Sequence, residues 1–158
     1  MSFARLVHRL KEGFAAPPPG PEQQKRDPLL LATAAVLLEI GHADGSLSPA
    51  EGVDLETYLQ RAFTLSADEA GELIDEATEI RNQTIDHFAL TNFIRRNASL
   101  QDRIDIVKTM WRMVYSDGRL TNYENYLVRK LADLLGLEHH VMIEAKVAVL
   151  RDMGKATP

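Results

Sequence analysis

The sequence predicts an all-α fold: a bundle of about seven helices that contains a pseudo-symmetric pair of helix-turn-helix units and is preceded by a short amphipathic helix. Three observations predict it. Apolar residues recur at three- and four-residue intervals through most of the chain, no stretch alternates like a strand, and Ser/Thr-x-x-Glu signatures of helix N-termini punctuate the apolar runs.

Taken in order, residues 1–14 form a basic amphipathic leader. Phe3, Leu6, Val7, Leu10 and Phe14 fall on one helical stripe, with Arg5, Arg9 and Lys11 on its flanks. Residues 15–26 carry Pro17, Pro18, Pro19 and Pro21 around Gly20, cannot continue a helix, and read as an extended tether. Residues 27–152 are the helical domain, and 153–158 read as a disordered tail. Within the domain, Asp27 caps and Pro28 opens a helix to about His42 that is apolar on almost every side, so it belongs in the centre. Ser48, Pro49 and Glu51 start a second helix to about Ala62, and Ser66 with Glu69 a third ending near Arg81. Asp86 to Arg96 is a fourth, with Phe88, Phe93 and Ile94 among its apolar positions. Ser99 caps a fifth, whose Leu100, Ile104, Val107, Trp111 and Val114 follow the spacing of a buried stripe. Thr121 and Glu124 open a sixth that carries Tyr123, Leu127, Leu131 and Leu134 before Gly136 ends it, and a seventh runs from about Glu138 to Arg151.

A chain of 158 residues suits one domain, burying about 70% of the surface its unfolded form exposes. Cysteine is absent, which excludes disulfides, thiolate zinc sites and thiol nucleophiles and fits a reducing cytosol. The net charge of −5 is uneven: residues 1–27 hold five Lys/Arg against three Asp/Glu, the remainder 13 against 20. An acidic body repels phosphate backbones, which argues against nucleic acid and for cations or basic protein surfaces as partners. No secretory signal is visible, and the longest apolar run, Leu29 to Leu38, is half of the roughly 20 residues that span a bilayer. The expected location is cytoplasmic.

Aligning Asp44 with Asp117 brings Gly45, Leu47, Ser48 and Glu51 onto Gly118, Leu120, Thr121 and Glu124, a shared string D-G-x-L-[ST]-x-x-E. Leu37 and Ile40 upstream match Met110 and Met113, and Leu55 downstream matches Val128. The string satisfies half of an EF-hand loop: Asp at the fifth position, Gly at the sixth, Glu at the twelfth. The other half fails, because the first and third ligand positions fall on Ile40 and His42 in one copy and on Met113 and Tyr115 in the other.

Two readings of these residues stand. In the first, all are structural: glycine turns the chain, Leu47 or Leu120 plugs the core, Ser48–Glu51 or Thr121–Glu124 caps the next helix, and the aspartate bonds its own turn. In the second, pseudo-symmetry packs the turns side by side and gathers Asp44, Glu51, Asp117 and Glu124 into one acidic patch. A divalent cation, calcium, magnesium or manganese, then relieves their repulsion, with Asp44 and Asp117 the leading ligands because the glutamates serve the caps.

The segments LLEIGHADGSLSPAE (37–51) and MWRMVYSDGRLTNYENYLVRKLADLLGL (110–137) resemble the TerB-like family, named after tellurite-resistance protein B, and the likeness covers about residues 28–150. The amphipathic leader, proline-rich tether and aromatic run before the second D-G are similar to a bacterial branch of it. The resemblance implies a compact bundle of about seven helices, acidic residues at the two turns (Asp44, Glu51, Asp117, Glu124), and links to metal or oxyanion stress and to membrane-associated protein complexes. Its members are not established enzymes. It does not imply tellurite chemistry here, and the missing thiols argue against direct tellurite reduction.

Other chemistry finds little footing. His8, His42, His87, His139 and His140 include no zinc pair at the four-residue helical spacing; His42, two residues before Asp44, is the one that could join the acidic patch. Serine-nucleophile, phosphate-loop and dinucleotide fingerprints are absent. The expected function is therefore a non-enzymatic binding or scaffold module in a stress-related system, the alternative being a metal-dependent enzyme that uses the same acidic patch. Protein partners are expected, and a homo-oligomer is compatible with the sequence. Residues 2–14 either dock their apolar stripe on a protein groove or lie peripherally on the inner face of an anionic membrane; so short a helix binds lipid weakly, which favours docking.

Overall fold

The computed structural model describes residues 28–43, 47–83, 87–116 and 120–155, and the leader and tether lie outside them. Seven helices run through the described residues: α1 (Pro28–Gly41), α2 (Pro49–Phe63), α3 (Ala67–Gln83), α4 (His87–Asn97), α5 (Leu100–Tyr115), α6 (Asn122–Leu134) and α7 (His139–Asp152). No strand occurs among these residues, so the all-α expectation holds, and the helix ends fall within about two residues of those read from the caps.

The predicted starts form as their chemistry requires. At α3 the Ser66 hydroxyl accepts from the Glu69 N–H (3.1 Å) while Glu69 Oε1 accepts from the Ser66 N–H (3.0 Å). Ser99 accepts from the Asp102 N–H at 3.1 Å to start α5. Exits are less uniform. α6 ends on Gly136, whose φ of +81° lets Leu137 and Gly136 return their N–H groups to Ala132 and Asp133 (3.1 and 2.9 Å), while Arg103 of α5 donates to the Leu135 carbonyl at 2.8 Å. α2 ends on Thr64, a β-branched residue held at φ +54°.

α1 is buried along nearly its whole length and touches every helix from α2 to α6, which is why it is apolar all round. The other helices turn one stripe inward. Two residues counted on those stripes point out: Leu100 is 53% and Tyr123 52% exposed, because each sits in a first turn, and burial of apolar side chains begins at Ile106 and Leu127.

The internal repeat is longer than the helix-turn-helix pair read from the sequence. The offset that superposes Asp44 on Asp117 also sets α1 over α5, α2 over α6 and α3 over α7, leaving α4 as the connector. The packing agrees: within each unit the first helix makes its broadest contact with the third, α1 with α3 and α5 with α7. Trp111 is completely buried on α5, and Lys146 of α7 places its Nζ 5.0 Å from the ring centroid. The units then meet through α1 on α5 and α2 on α5.

Candidate functional site

At each corner the chain leaves a first helix, turns, and enters a second through a reciprocal cap. At the first, the Glu51 N–H donates to Ser48 Oγ (3.1 Å) and the Ser48 N–H to Glu51 Oε1 (3.2 Å). At the second, the Glu124 N–H donates to Thr121 Oγ1 (3.0 Å) and the Thr121 N–H to Glu124 Oε1 (3.1 Å). Both glutamates are only 1% exposed, deep for a carboxylate, and tolerable because each accepts a backbone N–H that would otherwise be orphaned at a helix start. Leu47 and Leu120 pack partly buried against the core, as plugs should. Asp44 and Gly45, and likewise Asp117 and Gly118, lie outside the described residues.

The described residues around them bring the corners together. A Cβ built on Gly41, at the end of α1, would overlap Leu47 Cδ1 and lie 3.3 Å from Met113 Cε in the last turn of α5. The first corner is thus folded tightly on itself and against the helix that leads into the second. Ser116, the residue before Asp117, donates its hydroxyl to Asp54 of α2 and lies 2.7 Å from the Arg112 carbonyl. One residue from one D-G turn and one from the helix that follows the other are therefore in direct contact.

Of the four carboxylates expected in the patch, Glu51 and Glu124 occupy equivalent, cap-bound positions at these adjoining corners. No group of three or more His, Cys, Asp or Glu gathers at metal-ligand distance among the described residues. His42 sits half-buried in the turn after α1, its N–H bonded to the Leu38 carbonyl at 2.9 Å. His139 and His140 are exposed at the start of α7, and His140 Nδ1 lies 3.3 Å from Glu138.

Beside the corners runs a groove between α2 and α5, with two adjoining hollows of about 360 and 350 Å³. Asp54, Tyr58 and Arg61 line it from α2, Lys108, Thr109 and Arg112 from α5. Asp152, at the end of α7, closes one end and holds Arg112 at 3.2 Å. Burial, with Asp105 and then Asp102 close by, pushes the Tyr58 phenol well above its usual range, so it stays protonated. Sequence reasoning did not find this groove. Its signal was present in the repeat: Asp54, Tyr58 and Arg61 align with Leu127, Leu131 and Leu134, three apolar positions turned polar on one face of one copy.

Among the described residues no helix is long and apolar enough to cross a membrane. A model of the family described as tellurite resistance protein TerB matches residues 30–147, from the first turn of α1 into α7. No curated protein and no solved structure matches the chain.

Proposed function

The chain belongs to the tellurite resistance protein TerB family, and on that basis we propose that it works as a binding or scaffold module, without turnover, whose paired corners take up a divalent cation. The observation that supports this is the contact between the corners: Ser116 on Asp54, and Gly41 and Leu47 against Met113, bring the flanks of both D-G turns together. Asp44 and Asp117 would be the ligands. Glu51 and Glu124 each spend a carboxylate oxygen on a cap, so their part is to fix the entry of α2 and α6 and to keep the neighbourhood electronegative. Oxygen donors of this kind favour calcium, magnesium or manganese. Occupancy would then stiffen the seam between the two units, and a protein partner that reads the seam would sense the ion.

Thermal unfolding of the full chain with millimolar calcium or manganese, against a chelator, tests the reading. A ligand present at 100 times its Kd stabilises the native state by about 2.7 kcal/mol, so a clear rise in Tm is expected. Asp44→Asn and Asp117→Asn should each abolish the rise. An unchanged midpoint in the unsubstituted protein would refute cation uptake. A metal-dependent hydrolytic activity lost in the same two variants would instead favour the enzymatic alternative.

A further inference from the structure

We propose that the groove between α2 and α5 is a binding site for a small anion of the phosphate or dicarboxylate class, held by Arg61 and Lys108 with Arg112 beside them. The site lies beyond the D-G corners and uses none of their carboxylates.

Every carboxylate at the groove already accepts a hydrogen bond or ion pair: Asp54 from Ser116, Asp105 from Gln101 Nε2 at 3.0 Å, Asp152 from Arg112 at 3.2 Å. The cations are not matched in the same way. Arg112 has Asp152, but neither Arg61 nor Lys108 makes an ion pair or side-chain hydrogen bond among the described residues. The groove therefore offers two cations with no protein partner of their own, next to Asp54 and Asp105, whose donors are neutral and leave their charge in place, and Asp152, which Arg112 offsets. Guanidinium and ammonium groups on opposite walls of a hollow suit a compact anion with several acceptor oxygens.

One hydroxyl points the same way. Tyr58 keeps its proton and makes no hydrogen bond to the protein among the described residues, leaving a neutral donor on the wall between Arg61 and Asp105. Thr109 Oγ1 spends its one proton on the Asp105 carbonyl at 2.8 Å, so the donors that face the hollow are those of Tyr58, Arg61 and Lys108. A cation is the poorer fit, because Asp54, Asp105 and Asp152 do not converge as a ligand group.

The repeat shows that the groove is not what this architecture needs for packing. By the internal symmetry, α2 on α5 corresponds to α6 on α1. There the equivalent positions are Leu127, Leu131 and Leu134 on one helix and Ala32, Ala35 and Val36 on the other, all but the half-buried Leu134 fully buried. The same scaffold closes this seam with hydrocarbon in one place and opens it with charge in the other.

The test is an amide-resolved NMR titration of the full chain with inorganic phosphate, then succinate, at constant ionic strength set by sodium chloride and in buffer stripped beforehand of divalent cations so that the corners play no part. Saturable shifts confined to residues around 58, 61, 108 and 109 are expected with at least one probe; which probe binds names the class. Arg61→Ala and Lys108→Ala should each weaken binding about tenfold or more, Lys108→Arg should largely keep it, and Arg129→Ala, on the exposed side of α6, should leave it unchanged. Unperturbed amide dispersion in the rest of the spectrum reports that each variant is folded. Shifts that never saturate with either probe, or a saturable site equally tight in the Arg61 and Lys108 variants, would overturn the assignment.

Discussion

The two three-helix units solve one problem identically and another in opposite ways. At the entrance of the second helix they are nearly superposable: Ser48 and Thr121 have φ, ψ of −72°, 157° and −82°, 160°, and both capping-box glutamates are buried to the same degree. One turn later they diverge. α6 turns Leu127, Val128, Leu131 and Ala132 into the core, whereas α2 buries only Leu55 and Leu59 on that side and presents Asp54 and Tyr58 to a groove. Fully burying two leucines is worth about 1.5–3 kcal/mol each, and the first unit forgoes it. A cap is demanded by any helix that starts at a buried corner; an apolar seam is not demanded by a bundle whose core α1 already fills. What the fold required stayed the same in both copies, and what it did not require became available for binding.

The sharpest way to break the comparison is to exchange residues between the corners. Gly41 corresponds to Val114, and at the first corner Leu47 folds back onto that position with Met113 behind it. Gly41→Val should therefore cost about 3 kcal/mol by overpacking, measured by urea unfolding followed through the fluorescence of Trp111, the only tryptophan. A loss below about 1 kcal/mol would mean that the corner relaxes and that its tight fold is not a constraint.

Next in size is the bond between the corners. Ser116 corresponds to Ala43, so the Ser116–Asp54 bridge has no counterpart across the internal axis. Ser116→Ala should cost about 1.5 kcal/mol, as expected for a hydrogen bond to a charged acceptor. Asp54→Leu, which copies Leu127, should recover part of that loss in the Ser116→Ala background. Additive effects in this double-mutant cycle would show that the two side chains are not coupled. Ser48→Ala and Thr121→Ala should each cost about 1 kcal/mol and, because the caps are equivalent, by nearly equal amounts. Unequal losses would show that the corners differ in more than their flanks.

The contrast explains how much was legible beforehand. Helix number, order and ends could be read because they rest on local chemistry: Ser48, Ser66, Ser99 and Thr121 each mark a start within three residues of their partner, and Gly136 marks an exit. Thr64 could not be read as an exit, since nothing in its side chain favours a left-handed conformation and its neighbours impose it. The kinship of Glu51 and Glu124 was visible, as was their service in the caps. The groove was not, because it depends on which face of α2 meets α5, a tertiary fact that periodicity within α2 does not carry. That the third helices, each legible by itself, also belong to the repeat was not visible for a related reason: α3 begins with a Ser66–Glu69 box, while Glu138 at the start of α7 makes no side-chain cap bond, so the two share packing but no motif.

The smallest expected effect at neutral pH is also the most specific to the groove. Tyr58 corresponds to Leu131 and makes no hydrogen bond to the protein among the described residues, so Tyr58→Phe should leave stability at pH 7 nearly unchanged. Its signature appears in alkali. Burial, Asp105 and Asp102 raise the native phenol above the ordinary value near 10, so between the unfolded and native pKa values the folded protein holds a proton that the unfolded chain has lost. That stabilising term is present in full below pH 10 and is withdrawn above it, by about 1.4 kcal/mol per pH unit for one such group. Unfolding free energy should therefore fall more steeply above pH 10 in the unsubstituted protein than in Tyr58→Phe, and the latest-titrating component of the tyrosinate absorbance should vanish in the variant. Parallel alkaline slopes would mean that the phenol is freely solvated, and the α2–α5 seam would then be an open surface lacking the neutral donor assigned to its wall.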